Sequence, residues 1–194
     1  MRWHPQKRQI LNWTVTVGSV LLCLLLLPMR LPGMELLGIA PNWLLVWVVV
    51  WSVKRTVVQG AIAGLVLGLL QDGMTSPHPT HTLSLAAVGI FTACLQKQRY
   101  IQEDFISVAL IVFGMTVLAE TITTLQFSLM NTSLAGVEQS ANSSCCAWAT
   151  RNLAEIWTYH QQIALCSAIL SSLWAPVVYY PLNRWWDSIN VLEP

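Results

Sequence analysis

Six long apolar runs decide what this chain can fold into: Leu11 to Leu27, Leu36 to Val53, Val57 to Asp72, Thr82 to Leu95, Phe105 to Met130 and Ile163 to Tyr180. A helix that crosses a bilayer needs about twenty mainly apolar residues, so six crossings use roughly 120 positions and leave only short connections and tails. Of the 194 residues, 55% are hydrophobic and 10% are charged. That charge is well under half the roughly 25% usual in soluble domains. The sequence therefore predicts an all-α, polytopic integral membrane protein: a single membrane domain over residues 1–194, with about six transmembrane helices and no separate soluble unit.

The N-terminal Arg2, Lys7 and Arg8 before an apolar run have the outline of a secretory signal. The run is longer than a signal's apolar region, and Pro28, Met29 and Arg30 make no small-residue cleavage site, so it reads as a retained first helix. With the N-terminus inside, the cytoplasmic stretches carry Arg2, Lys7, Arg8, Lys54, Arg55, Lys97, Arg99 and Arg184. The opposite side keeps Arg30 and Arg151. The positive-inside rule then places both termini in the cytoplasm and demands an even number of crossings. Tryptophan agrees: Trp13 and Trp51 fall near the inner interface, Trp43 and Trp157 near the outer one. A net charge of +1 gives no reason to expect nucleic acid.

Trp43, Trp47 and Trp51 recur every four residues and form one aromatic stripe on the second helix. Lipid contact or internal packing is the plain reading of that stripe; a docking face for a partner helix is the sharper one. The third helix carries Gly60, Gly64, Gly68 and Asp72, again in steps of four, so three positions that expose backbone share a face with one carboxylate. Such spacing lets a neighbouring helix approach closely, which speaks for packing. Asp72 reads either as a helix-end acid at the water interface or as a specific element of that face.

Glu120 lies well inside the fifth run, with Thr116, Thr123 and Thr124 on about the same face. It is expected to face the bundle interior, protonated, bonded to a threonine, or paired with another helix. A structural contact is preferred to a transport or proton site, because the sequence offers no second charge inside the membrane. In the outer loop, His78 and His81 have too few companions for a metal and are read as turn residues between prolines. Segment 131–162 is expected to be a Ser/Asn/Gly/Ala-rich outer loop, ending in a short surface helix around Leu153, Ile156 and Trp157. Cys145 and Cys146 face an oxidising compartment and are read either as a bridge to a partner or, in preference, as an unpaired, tolerated pair. Cys23, Cys94 and Cys166 read as packing residues. After Pro181, the residues Arg184, Trp185, Trp186 and Ile189 are expected to anchor at the inner interface. No zinc-protease, nucleophile-elbow or phosphate-loop motif is present, so the sequence supplies no catalytic residue, cofactor or metal site.

Two stretches resemble the MreD family. The run Pro41, Asn42, Trp43, Leu44, Leu45, closed by Lys54 and Arg55, is similar to the family's proline-led second helix. The run Gly64 to Asp72, followed by Pro77 and by His81, Thr82 and Leu83, is similar to its signature region. The sequence departs from the pattern at Pro79, where the family usually carries glycine. The resemblance implies a non-enzymatic scaffold subunit of the bacterial cell-elongation complex in the inner membrane. It implies partners as well: the single-pass protein MreC and, directly or through it, MreB filaments and cell-wall synthases, namely the elongation transpeptidase and the RodA-type glycosyltransferase. It further implies a fold like the substrate-binding subunits of energy-coupling-factor vitamin transporters. That kinship raises the alternative of a vitamin-type uptake subunit.

Overall fold

A computed structural model describes residues 5–29, 38–75, 80–97, 105–138 and 146–190. The expectations for Arg2, Arg30, Pro77, His78, Pro79, Arg99 and Cys145 fall outside the described residues. Six helices account for nearly all the rest: α1 (Pro5–Leu26), α2 (Trp43–Ser52), α3 (Val57–Thr75), α4 (Thr82–Lys97), α5 (Phe105–Glu138) and α6 (Cys146–Asn190). Stretches Val57–Thr75, Ile106–Gln126 and His160–Trp186 are long and apolar enough to cross a membrane. Ile10–Leu26, Trp43–Ser52 and Thr82–Leu95 are shorter apolar helices.

α2 is the centre of the bundle and packs against each of the other five helices. From Trp43 through Val50 every side chain is buried, and six of those eight are fully inaccessible. A helix with no polar face has no way to sit at a water boundary, so the sequence Trp-Leu-Leu-Val-Trp-Val-Val-Val fits either lipid or the bundle interior. Because lipid is as apolar as valine, what fixes α2 there is close packing and the few polar contacts it makes.

The second helix is shorter than the run Leu36 to Val53 predicts. It begins at Trp43 and at 1.5 Å per residue is about 15 Å long, half of a typical ~30 Å hydrocarbon core. The cause is local. Pro41 forces Ala40 out of the helical region, Gly38 adopts a left-handed φ of 79° that favours glycine, and Asn42 caps α2 by accepting from the Leu45 amide at 3.2 Å. Non-helical backbone inside a bundle must find partners within the protein. The Asn42 amide finds one in Ser171 Oγ of α6, at 3.1 Å.

Trp43 and Trp47 of the tryptophan stripe face inward, and Trp51 is half-buried. Trp47 is 3% exposed and its indole donates to Ser19 Oγ of α1 at 2.8 Å. Trp43 packs against Trp174 of α6 with ring centroids 5.6 Å apart. Trp47 stacks on Trp51 at 5.9 Å. Internal packing is therefore the reading the geometry supports, since Trp43 and Trp47 have no outward surface to offer a partner helix. Replacing Trp47 with Phe should remove one buried hydrogen bond and cost about 1 kcal/mol. A thermal-unfolding series in detergent with Ser19→Ala and the double variant checks this, the double costing scarcely more than either single change.

The expected outer loop 131–162 needs correction. α5 continues to Glu138 and α6 starts at Cys146, so helix occupies most of that segment. Asn, Ser and Thr cost only up to about 0.7 kcal/mol each relative to Ala in a helix, and extending an existing helix needs no new nucleation. At 1.5 Å per residue the 34-residue α5 is about 51 Å long and the 45-residue α6 about 68 Å, both beyond a ~30 Å core. The short surface helix expected around Leu153, Ile156 and Trp157 is part of α6, as is the backbone of Cys146. The anchor expected after Pro181 is also part of α6, which contains Pro176 and Pro181 without ending. Trp186 is buried in the core, whereas Arg184 is exposed and donates to the Tyr180 hydroxyl at 3.0 Å.

Candidate functional site at the seam between α3 and α4

α3 and α4 form a tight antiparallel hairpin whose contact line is backbone on backbone. A Cβ added at Gly60 would lie 2.6 Å from the carbonyl oxygen of Gly89. One at Gly68 would lie 2.5 Å from the Cα of Thr82, and one at Gly64 would strike the carbonyl oxygen of Leu85. The relation is reciprocal at the first level, where a Cβ on Gly89 would strike the Gly60 carbonyl. Steps of four along α3 thus meet steps of about four running the other way along α4, as two antiparallel helices in fixed register require.

Asp72 closes the seam one step beyond Gly68. Its side chain is buried, and it reaches the first turn of α4 rather than water. Oδ1 accepts from the His81 amide at 2.9 Å and Oδ2 accepts from the Thr82 amide at 2.9 Å. The Thr82 hydroxyl donates to Oδ2 at 2.5 Å, and the Thr80 hydroxyl donates to Oδ1 at 3.4 Å. His81 Nδ1 lies 3.0 Å from Oδ1. The first α4 hydrogen bond runs from the Leu85 amide to the His81 carbonyl, which makes His81 the cap position. Its side chain is not the cap. A carboxylate from the neighbouring helix instead satisfies the amides of the cap residue and of the first helical residue, and it places negative charge at the positive end of the α4 dipole.

These contacts decide between the two readings of Asp72: it is an interhelical clasp, not a solvated helix-end acid. With both oxygens ringed by donors, the carboxylate has its acceptor capacity occupied by the fold. Chemically the arrangement holds two helix ends together. Among the described residues no group of three or more His, Cys, Asp or Glu side chains is placed to hold a metal ion.

Glu120 of α5 is part-buried. The expected threonine partnership takes another form. Thr124 donates to the backbone carbonyl of Glu120 at 2.8 Å, while Thr116 and Thr123 donate to the carbonyls of Val112 and Ala119. These hydroxyls serve their own helix.

Sequence reasoning missed Gly89, Thr80 and Thr82. Gly89 carried a faint signal, being flanked at helical spacing by Ala86 and Ala93, which makes one face of α4 small-sided. Thr80 fell in the outer loop and Thr82 opened the fourth apolar run, and nothing local ties either to a carboxylate eight or ten positions earlier.

The class of protein these features define is an all-helical one suited to a bilayer: three long apolar helices, a buried apolar centre, and exposed leucine, isoleucine and valine along α1, α3, α5 and α6. Within that class, the chain matches the family described as rod shape-determining protein MreD over residues 7–149. It therefore belongs to the MreD family of shape-determining membrane proteins. The match takes in α1 through α5, including the whole seam, and ends near the start of α6. No curated protein matches the chain.

Proposed function

We propose that the chain is a non-enzymatic scaffold subunit of the rod complex, which positions peptidoglycan synthesis along the cell's long side. The observation that carries this reading is the family match over residues 7–149. In this proposal the protein is one membrane domain that crosses the inner membrane six times, with both termini cytoplasmic and a fold like that of energy-coupling-factor substrate-binding subunits. The distribution of Lys and Arg supports that orientation. Gly60, Gly64, Gly68 and Asp72 organise the bundle, as their backbone contacts and the α4 cap support. Trp43, Trp47, Trp51 and Glu120 act in the same structural sense. An outward-facing surface receives an MreC-type single-pass partner and, with it, MreB filaments and the synthases. The alternative of a vitamin-uptake subunit finds no support in the comparisons.

The test is co-purification of the tagged protein from its own membranes in mild detergent, after cross-linking. An MreC-type protein and cell-wall synthases are the expected companions. Recovery of an ATPase module with a transmembrane coupling subunit in their place would overturn the scaffold reading.

A further inference from the structure

Beside the turn from α2 to α3 lies an open surface cavity of about 780 Å³. Its polar lining is Lys54, Arg55, Thr56 and Gln59, and its apolar lining is Val57, Val58 and Ala93. From these we infer that the cavity is a binding site for the headgroup and upper acyl chain of an acidic phospholipid.

Three observations converge on that ligand. The two cations are adjacent in the turn, and the Arg55 guanidinium lies over the Trp51 ring, 5.4 Å from its centroid. That contact holds the charge at the rim and pairs it with an aromatic of the kind found at headgroup depth. The Thr56 amide is already occupied by Gln59 Oε1 at 3.4 Å, so recognition of an anion falls to the two side-chain cations. Below them Val58 is 68% exposed at the start of a helix long enough to cross a membrane. A soluble phosphate would have no use for that apolar wall, whereas a glycerophospholipid presents an anion and a hydrocarbon chain in the same order. In the orientation proposed above, this turn faces the cytoplasmic leaflet, where anionic lipid attracts basic residues.

The experiment is native mass spectrometry of the full chain in mild detergent, titrated separately with phosphatidylglycerol, phosphatidylcholine and inorganic phosphate. Phosphatidylglycerol should bind at least tenfold more tightly than phosphatidylcholine. Lys54→Gln with Arg55→Gln should weaken phosphatidylglycerol by about fivefold for each charge removed. Val58→Asp keeps both cations but puts a negative charge on the apolar wall where the acyl chain would lie, and should weaken phosphatidylglycerol binding at least about fivefold, with the helical circular-dichroism signal unchanged. If the double variant loses that signal, Val58→Asp carries the test alone. Equal binding of the two lipids, or unchanged phosphatidylglycerol binding in the folded variants, overturns the site. Displacement of the lipid by inorganic phosphate at equal concentration overturns the lipid as its occupant and assigns a free anion.

Discussion

Gly64→Ala is expected to destabilise the protein by about 1–3 kcal/mol, the range for forcing atoms into a packed interior, whereas Gly73→Ala on the same helix should be neutral or stabilising. The contrast arises because the two glycines differ in surroundings and not in secondary structure. A methyl at Gly64 would strike the Leu85 carbonyl and lie 2.9 Å from the Ala86 Cα. Those atoms are backbone of a helix, so relief requires moving α4 as a body. A methyl at Gly73 would meet nothing within 4 Å, and there alanine gains up to about 1 kcal/mol of helix propensity. The midpoint of thermal unfolding in detergent reads the difference directly. Equal behaviour of the two variants would mean that α3 and α4 are not in backbone contact. In cells depleted of their own MreD, Gly64→Ala should restore rod shape poorly and Gly73→Ala fully.

The seam was half legible in the sequence. Gly60, Gly64, Gly68 and Asp72 advertise a shared face because a helix turns these residues to one side, and that inference needs no tertiary information. The other half of the contact was hidden. Gly89 stands alone in α4, and the amides that Asp72 caps belong to every residue and so leave no mark in the alphabet. The tryptophan stripe shows the same limit: its spacing was visible, but burial on all sides depends on which helices surround α2. Hydropathy also hid the length of α2, because the apolar run continues before Pro41 and Asn42 while the helix does not. Beyond the bilayer the fault ran the other way. Composition made 131–162 look like a loop, yet helix propensity there is only mildly unfavourable and α5 was already nucleated.

Asp72→Ala is expected to be the most damaging single substitution that leaves the core volume nearly unchanged. It strips partners from two amides, those of His81 and Thr82, and from the Thr82 hydroxyl. A fully buried donor left unmet costs about 1–3 kcal/mol, these part-buried ones less, and the favourable charge at the α4 dipole is lost with them. A loss of about 2–4 kcal/mol follows, less than the plain sum because the freed turn relaxes toward water. The neighbouring substitutions should rank below it for definable reasons. Asn at 72 keeps one acceptor but turns an NH₂ toward a donor, so it recovers only part of the loss. Thr82→Ala removes the hydroxyl bond and leaves both amide bonds, at about 1–2 kcal/mol. His81→Ala spares every backbone contact of the carboxylate and should cost less than about 1 kcal/mol, its side chain being one-third exposed. Measured as unfolding midpoints beside rod-shape rescue, this order separates a clasp from a chemical group. A clasp makes shape fail in step with stability across all four variants. If Asp72→Asn kept wild-type stability and still abolished rod shape, the carboxylate would be acting on something outside the seam.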